Sequence, residues 1–203
     1  MCYNICIENR EERIAILRVI AGIAKKSRLK IPRGWSGRPT ADRVKESLFN
    51  ILGSRIPGSH FLDLYAGTGN VGIEALSRGA ARVVFVERDK RAVKIIRDNL
   101  VHVGLVERAE VLAQDVFLVL RRLSGQQFDV VFLDPPYGQG LELPTLEAID
   151  RYGLLARGGI VVAESSKRQA FPGQVGRLVQ YRQHLVGDTV LSFYQPGIAG
   201  EGD

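Results

Sequence analysis

Phe61-Leu62-Asp63-Leu64-Tyr65-Ala66-Gly67-Thr68-Gly69-Asn70-Val71-Gly72 is the stretch whose reading decides the fold. An apolar run, a glycine-rich turn and an apolar-periodic segment follow one another without a gap. That order reads as a buried strand, a tight loop and the start of a helix, the opening of a βαβ unit. Gly67-x-Gly69-x-x-Gly72 matches the glycine spacing that lets backbone approach a nucleotide closely. Working outward, the alternation repeats: strands are predicted at 61–64, 82–86, 109–112, 128–133 and 159–163. Helices are predicted from Val71 and over 90–101, 116–123 and 143–152, with Pro144 tolerable in a first turn. Strands alternating with helices imply right-handed crossovers and an α/β fold on an open, mostly parallel sheet.

The tail breaks this rhythm. Residues 175–185 and 189–194 are strand-like and separated by Val186-Gly187-Asp188, a tight-turn signal. Two strands with no helix between them form an antiparallel hairpin at one edge, which brings the sheet to seven strands. Upstream, residues 38–52 read as an amphipathic helix with Thr40 as N-cap and Val44, Leu48, Ile51 and Leu52 as its apolar stripe. Arg43 stands where a capping box would place Glu.

Composition narrows the setting. The 203 residues fit one domain with an appendage, and 45% hydrophobic content supports a real core. No apolar run reaches the roughly 20 residues that span a bilayer, and the first residues lack a secretory pattern. Cys2 and Cys6 match no zinc or redox spacing and have no histidine nearby, so free thiols in a reducing cytoplasm and no metal are expected. The net charge of +6 is uneven: residues 1–45 carry eleven basic and four acidic side chains, or +7, and the remainder carries −1. A basic extension on a neutral body is the footprint of phosphate-backbone binding, although a solvated tail has the same charge. The expected organisation is a basic N-terminal extension at 1–36, a catalytic domain at 37–196 and a frayed tail at 197–203. Trp35 either stacks on a base or pins the extension to the body.

The predicted strand ends carry acids. Asp63 stands four residues before the first glycine of the turn, where it repels a pyrophosphate but suits an ammonium, as on the methionine end of S-adenosyl-L-methionine. Capping the loop is its plainer use. Glu87 closes the second strand, where an acid can accept both ribose hydroxyls of an adenosine or a dinucleotide. Asp115 after the third strand suits an adenine amino group, the N-cap of the next helix, or both. Asp134-Pro135-Pro136-Tyr137 ends the fourth. Two prolines remove two N–H donors, so this corner offers acceptors beside a flat ring and fits a planar heterocycle bearing an exocyclic amine. An ordinary strand-to-loop exit would use the same turn formers. Four acids on four successive strand ends point at one crevice, outside the carboxyl ends of the sheet.

With these residues on the page, the chain resembles the class I S-adenosylmethionine-dependent methyltransferases, Rossmann-like enzymes, and more narrowly the RsmD-type 16S ribosomal RNA guanine-N2 methyltransferases. The resemblance rests on Arg18-Val19-Ile20-Ala21-Gly22, Arg38-Pro39-Thr40-Ala41-Asp42-Arg43-Val44-Lys45-Glu46, Asp63 to Gly72 with Glu74-Ala75-Leu76-Ser77-Arg78-Gly79, Asp134 to Tyr137, and Glu164-Ser165. Residues 1–12 take no part in it. It implies cofactor contacts from Asp63, Tyr65, Ala66, Gly67, Thr68, Gly69, Glu87, Arg88, Asp115, Val116 and Asp134. It implies a target base held by Asp134, Pro135, Pro136 and Tyr137; the uneven charge, in turn, predicts RNA contacts from Arg18, Lys25, Lys26, Arg28, Lys30, Arg33, Arg38 and Arg43. The implied partner is 16S ribosomal RNA or the assembled small subunit, met by a cytoplasmic monomer. A DNA or RNA adenine-N6 or cytosine-N4 methyltransferase shares the Asp-Pro-Pro-Tyr chemistry but usually brings a target-recognition domain. An NAD-dependent oxidoreductase needs a hydride-transfer site, and no such residue pair is evident. A non-catalytic RNA-binding protein on the same scaffold has no need of strand-end acids. His60, His102 and His184 are scattered and read as structural or surface residues.

Overall fold

The computed structural model describes residues 17–31, 40–169 and 171–197. Cys2, Cys6, Arg33, Trp35, Arg38 and most of the expected frayed tail lie outside them. In chain order the elements are α1 (Asp42–Leu52), β1 (His60–Leu64), α2 (Asn70–Ser77), β2 (Arg82–Val86), α3 (Lys90–His102), β3 (Ala109–Leu112), α4 (Val116–Arg122), β4 (Phe128–Leu133), α5 (Glu142–Arg151), β5 (Leu155–Ser166), β6 (Gln174–Val175), β7 (Leu178–Val186) and β8 (Thr189–Pro196). One sheet holds all eight strands in the order β3-β2-β1-β4-β5-β8-β7-β6. β1 to β5 run parallel; β8 returns antiparallel to β5, and β7 and β6 extend that edge antiparallel. The α/β fold with a C-terminal hairpin is as expected.

Strand alternation sorts the core into two layers. Phe61, Phe85, Phe132 and Phe193 face one side and pack with Leu48 and Phe49 of α1, Ile73 of α2 and Ile96 of α3. Leu62, Val84, Val131 and Tyr194 face the other and pack with Val119 and Leu120 of α4 and Leu146 and Ile149 of α5. Both faces are covered, which is why the parallel strands are mostly apolar runs rather than alternating. The chain winds outward from β1 to β3, then jumps back to lay β4 on the other side of β1. The crevice at this switch point is where such sheets hold ligands.

Three local expectations are corrected. The single strand expected at 175–185 is broken after Val175: Gly176 takes φ +56°, and Asp150 accepts from the backbone N–H of Arg177 at 3.0 Å and from its guanidinium at 2.9 Å. The result is an eighth, two-residue strand. β5 starts and ends outside the expected 159–163, because Gly158 at φ +76° and Gly159 form an irregularity inside the strand rather than its start. A Cβ on Gly159 would lie 2.8 Å from the Phe128 carbonyl oxygen, so the sequence shows glycine where two backbones meet. Thr40 is not an N-cap: α1 begins at Asp42 with Ala41 in the cap position and no side-chain cap, and the Thr40 hydroxyl donates instead to Glu164 Oε2 at 3.4 Å. Asp115 caps α4 as expected, accepting from Phe117 N–H, and Asp89 caps α3 in the same way, accepting from Arg91 N–H.

Residues 17–31 form a β-ribbon closed by an antiparallel bridge between Arg18 and Arg28. Its apolar side chains, Leu17, Val19, Ala24 and Leu29, are buried in the core layer of α1 to α3. Side chains of the body grip its backbone: Glu74 accepts from the N–H groups of Ile20 and Ala21 at 2.8 and 3.0 Å, Ser77 Oγ from Ala24 at 3.0 Å, and Asn99 Oδ1 from Lys30 at 2.7 Å. Lys25, Lys26, Arg28 and Lys30 stay exposed. Among the described residues no helix is long and apolar enough to cross a membrane.

Candidate active site

A cleft of about 690 Å³ opens at the C-terminal edge of the parallel strands, and the four strand-end acids Asp63, Glu87, Asp115 and Asp134 all line it. The loop from β1 to α2 is its floor. Tyr65 holds φ +59°, a left-handed conformation costly for a side-chain-bearing residue, and its hydroxyl lies 2.7 Å from Thr145 Oγ1 of α5. That contact fixes the turn by which the backbone leaves β1. Gly67 at φ +54° and Gly69 at φ +76° complete it. Gly69 stands behind the lining as the N-cap of α2, its N–H donating to the Ala66 carbonyl at 2.7 Å. Gly72 is a close-packing glycine: a Cβ there would collide with the Phe85 ring and lie 2.9 Å from Asp63 Oδ2.

Asp63 is 2% exposed and accepts one hydrogen bond, from Gly72 N–H at 2.9 Å. Burial first, then the nearby charges of Asp134 and Glu87, push its carboxyl up to about 8 against the pull of that bond. It therefore caps the loop and also faces the cleft without a cation among the described residues. Glu87 accepts from Gly67 N–H at 2.9 Å and Asp89 N–H at 2.7 Å, which ties the end of β2 to the glycine loop. Asp115 receives Phe117 N–H at 2.9 Å. Ala66, Thr68, Arg88 and Val116 line the cleft as well.

The Asp134 corner follows β4, the strand beside β1, and lines the same cleft. Pro135 is buried, Pro136 is exposed, and Tyr137 is 50% exposed over the opening. Asp134 is half-buried; desolvation, and behind it the charge of Glu142, push its carboxyl up to about 7. Glu142 opens α5 and is itself buried, with neither carboxylate oxygen hydrogen-bonded among the described residues.

The structure adds residues that sequence reasoning left without a site role. Thr40, Asn70, Phe117, Gln139 and Leu141 line the cleft, and Glu164 stands beside Asp134 at the end of β5. Asn70 and Thr40 belong to one buried network: Asn70 Nδ2 donates to the Thr40 carbonyl at 2.9 Å, and Lys45 Nζ donates to Asn70 Oδ1 and to the Arg18 carbonyl, each at 2.6 Å. Lys45 is fully buried, and burial lowers its pKa against the opposing pull of Glu74 and Asp42. It is thus removed from the basic surface and ties ribbon, α1 and glycine loop together.

Of the expected RNA-contacting residues, Lys25, Lys26, Arg28, Lys30 and Arg43 are exposed and make no ion pair among the described residues. Arg18 is exposed and paired with Asp42 at 2.9 Å. Arg33 and Arg38 lie outside the described residues.

Comparison with known proteins agrees with this geometry. YlbH of Bacillus subtilis strain 168, provisionally named an rRNA methyltransferase, is 40% identical over 88% of this chain and 98% of its own length. Ribosomal RNA small subunit methyltransferase D of Escherichia coli K12 is 32% identical over 92% of this chain and 93% of its own. The solved structure of yhhF from Escherichia coli, provisionally titled a methyltransferase, superposes with a TM-score of 0.80 at 29% identity, covering 90% of this chain and 98% of that one. The family described as conserved hypothetical protein 95 matches residues 17–195, from the ribbon through β8. This chain belongs to that family, the one that holds the small-subunit ribosomal RNA methyltransferase D proteins, and has their class I methyltransferase fold.

Proposed function

We propose that the protein transfers a methyl group from S-adenosyl-L-methionine to the exocyclic N2 of a guanine in small-subunit (16S) ribosomal RNA. The observation that carries this reading is the convergence of two unlike groups on one cleft: the acids Asp63, Glu87 and Asp115 of β1, β2 and the turn after β3, and beside them the acceptor corner Asp134-Pro135-Pro136-Tyr137 that follows β4. The residues fit the cofactor. Asp63, buried without a cation among the described residues, suits the ammonium of the methionine end, Glu87 the ribose, and Asp115 the adenine amino group. Tyr65, Ala66, Gly67, Thr68, Gly69, Arg88 and Val116 form the surrounding cradle. When bound, S-adenosylmethionine supplies the methyl group and keeps the S–C electron pair as its sulfonium becomes a neutral thioether.

The chain's own residues supply position and a proton acceptor. The guanine amine is a poor nucleophile because its lone pair is delocalised into the ring. Asp134 and the Pro135 carbonyl accept its N–H bonds, which orients it and favours the pyramidal nitrogen of the transition state. As the new N–C bond forms, the nitrogen sheds one proton, and Asp134, with its pKa raised toward neutrality by burial, accepts it. Tyr137 stacks on the base, which must leave any stack to enter. Lys25, Lys26, Arg28, Lys30 and Arg43, joined by Arg18, Arg33 and Arg38, carry the RNA backbone. The setting is cytoplasmic, and the acting species is a monomer.

The relatives' names support ribosomal RNA as the substrate class; the amine position rests on the acceptor corner. The test is methyl transfer from tritiated S-adenosylmethionine to small subunits from a strain lacking the enzyme, with the modified nucleoside mapped. Label at N2 of one guanine is expected. Label on adenine N6 or cytosine N4 replaces the guanine reading, and no label at all overturns the proposal.

A further inference from the structure

The register that brings Asp134 to the cleft also sets a second carboxyl beside it. Leu133 of β4 pairs with Ala163 of β5, so Asp134 and Glu164 are neighbours one step further along, about 5 Å apart at the backbone. Glu164 is 4% exposed. The Thr40 hydroxyl donates to its Oε2 at 3.4 Å, leaving Oε1 to carry a proton. No cation among the described residues bridges the two acids. The buried Lys45 is committed to the Arg18 carbonyl, Asn70 and Glu74. The other titratable groups facing Asp134 are Asp63 from β1 and Glu142 from α5, both acidic; Asp115 and Arg88 act further along, around Tyr65. Two adjacent desolvated carboxyls with acidic neighbours cannot both ionise.

We propose that Glu164 is a positioning residue that keeps a proton at neutral pH and donates it in a hydrogen bond to Asp134, so that the pair carries one negative charge and Asp134 turns its remaining lone pairs toward the target amine. This rests on the reading of Asp134 as the group that holds that amine. Glu164 is the deeper of the two, 4% exposed against a half-buried Asp134, so desolvation leaves the shared proton on Glu164; burial, then the charge of Asp134, raise its carboxyl well above the usual range. Thr40 is then the residue that orients Glu164, and it hangs from Asn70 through its own carbonyl.

The proton can be observed without substrate. Infrared difference spectra of the unliganded wild-type protein against Glu164→Gln at neutral pH should show a protonated-carboxyl C=O stretch in the wild type alone. In turnover, Glu164→Gln, a neutral isostere with a donor, should stay within a few-fold of wild-type kcat. Glu164→Ala should lose roughly ten- to a hundredfold, the worth of one hydrogen bond to a charged group, with the KM for S-adenosylmethionine unchanged. Absence of the band, or equal damage from Gln and Ala, overturns the shared proton while Asp134→Asn remains inactive. An Asp134→Asn variant at wild-type rate sinks the amine-holding reading and this role of Glu164 together.

Discussion

Asp63→Asn separates the two demands placed on one carboxyl. In the folded, ligand-free protein Asp63 titrates near 8, against an ordinary value of 3.8. An acid raised in this way gives stability that is whole below the lower value and lost as pH rises through the higher one. At ~1.4 kcal/mol per tenfold change, the full loss is roughly 6 kcal/mol, an order of magnitude rather than a constant. Asparagine does not ionise. Its Oδ1 can still accept from Gly72 N–H, but its NH2 finds no acceptor prepared for it, which costs ~1–3 kcal/mol. The variant should therefore be about as stable as wild type near pH 5, where the two curves cross, and ~3–5 kcal/mol more stable at pH 9. Asp134 and Glu164 are present in both proteins, so their own titrations largely cancel in the difference. Urea denaturation of the unliganded chain at both pH values, compared at equal m, measures this. A stability difference that does not change with pH would refute the argument. Calorimetry reads the second demand: wild type should release a proton on binding S-adenosylmethionine at pH 7, seen as an enthalpy that depends on the buffer. The variant should bind more weakly and without that dependence.

Asp134→Ala should abolish turnover while S-adenosylmethionine affinity stays within a few-fold; near-wild-type single-turnover rates would remove Asp134 from the site. Tyr137→Phe should be mild, and Tyr137→Ala should weaken RNA-substrate kcat/KM by the ~1–3 kcal/mol of one stacked base; equal effects would argue against stacking. Gly72→Ala forces a methyl into the Phe85 ring and against Asp63, so thermal melting should report ~1–3 kcal/mol of overpacking, and an unchanged melting temperature would mean the loop is not close-packed. The triple change Lys25→Ala, Lys26→Ala, Arg28→Ala removes three exposed cations from the ribbon. The slope of log affinity for RNA against log salt should fall in magnitude by roughly 2 to 3; an unchanged slope returns the ribbon to a solvated surface.

Element type was legible wherever one signal acted alone. The runs at 82–86 and 128–133 are largely buried and apolar on both faces, and each appears as a strand with those bounds, as does the half-buried 109–112. Legibility failed where two backbones meet or where a side chain served a distant partner. Gly158 and Gly159 look like a strand start, yet β5 runs through them from Leu155, because the irregularity opposite Phe128 needs residues without side chains. Thr40 has the composition of a cap, yet its hydroxyl reaches Glu164, 124 positions away, which no local pattern encodes. Charge counting misled in the same way at Lys45: it reads as one more cation of a basic extension, and tertiary structure buries it under the ribbon.

The site was legible through a single rule, that an acid at the end of a parallel strand faces the switch-point crevice. The rule placed Asp63, Glu87, Asp115 and Asp134 on one cleft from their positions alone. It stops one strand short because the sequence reading ends the fifth strand at Ala163, although β5 continues to Ser166 and carries Glu164 one step past the Leu133–Ala163 pair. The residues it could not reach are those that hold the acids rather than continue the series: Thr40, Asn70 and Lys45 come from α1, the segment before it and the start of α2. Their joint effect is electrostatic separation. Lys45 is buried with its charge spent on Glu74, the Arg18 carbonyl and Asn70, so among the described residues no lysine lines the cleft, and of its two arginines Arg91 is paired with Asp89. A crevice kept acidic in this way favours a cationic methyl donor and repels RNA phosphates, whereas the exposed lysines of the ribbon attract them. In the proposed reaction the RNA backbone runs along the ribbon, and the part of RNA that enters the cleft is a neutral base swung out of its stack.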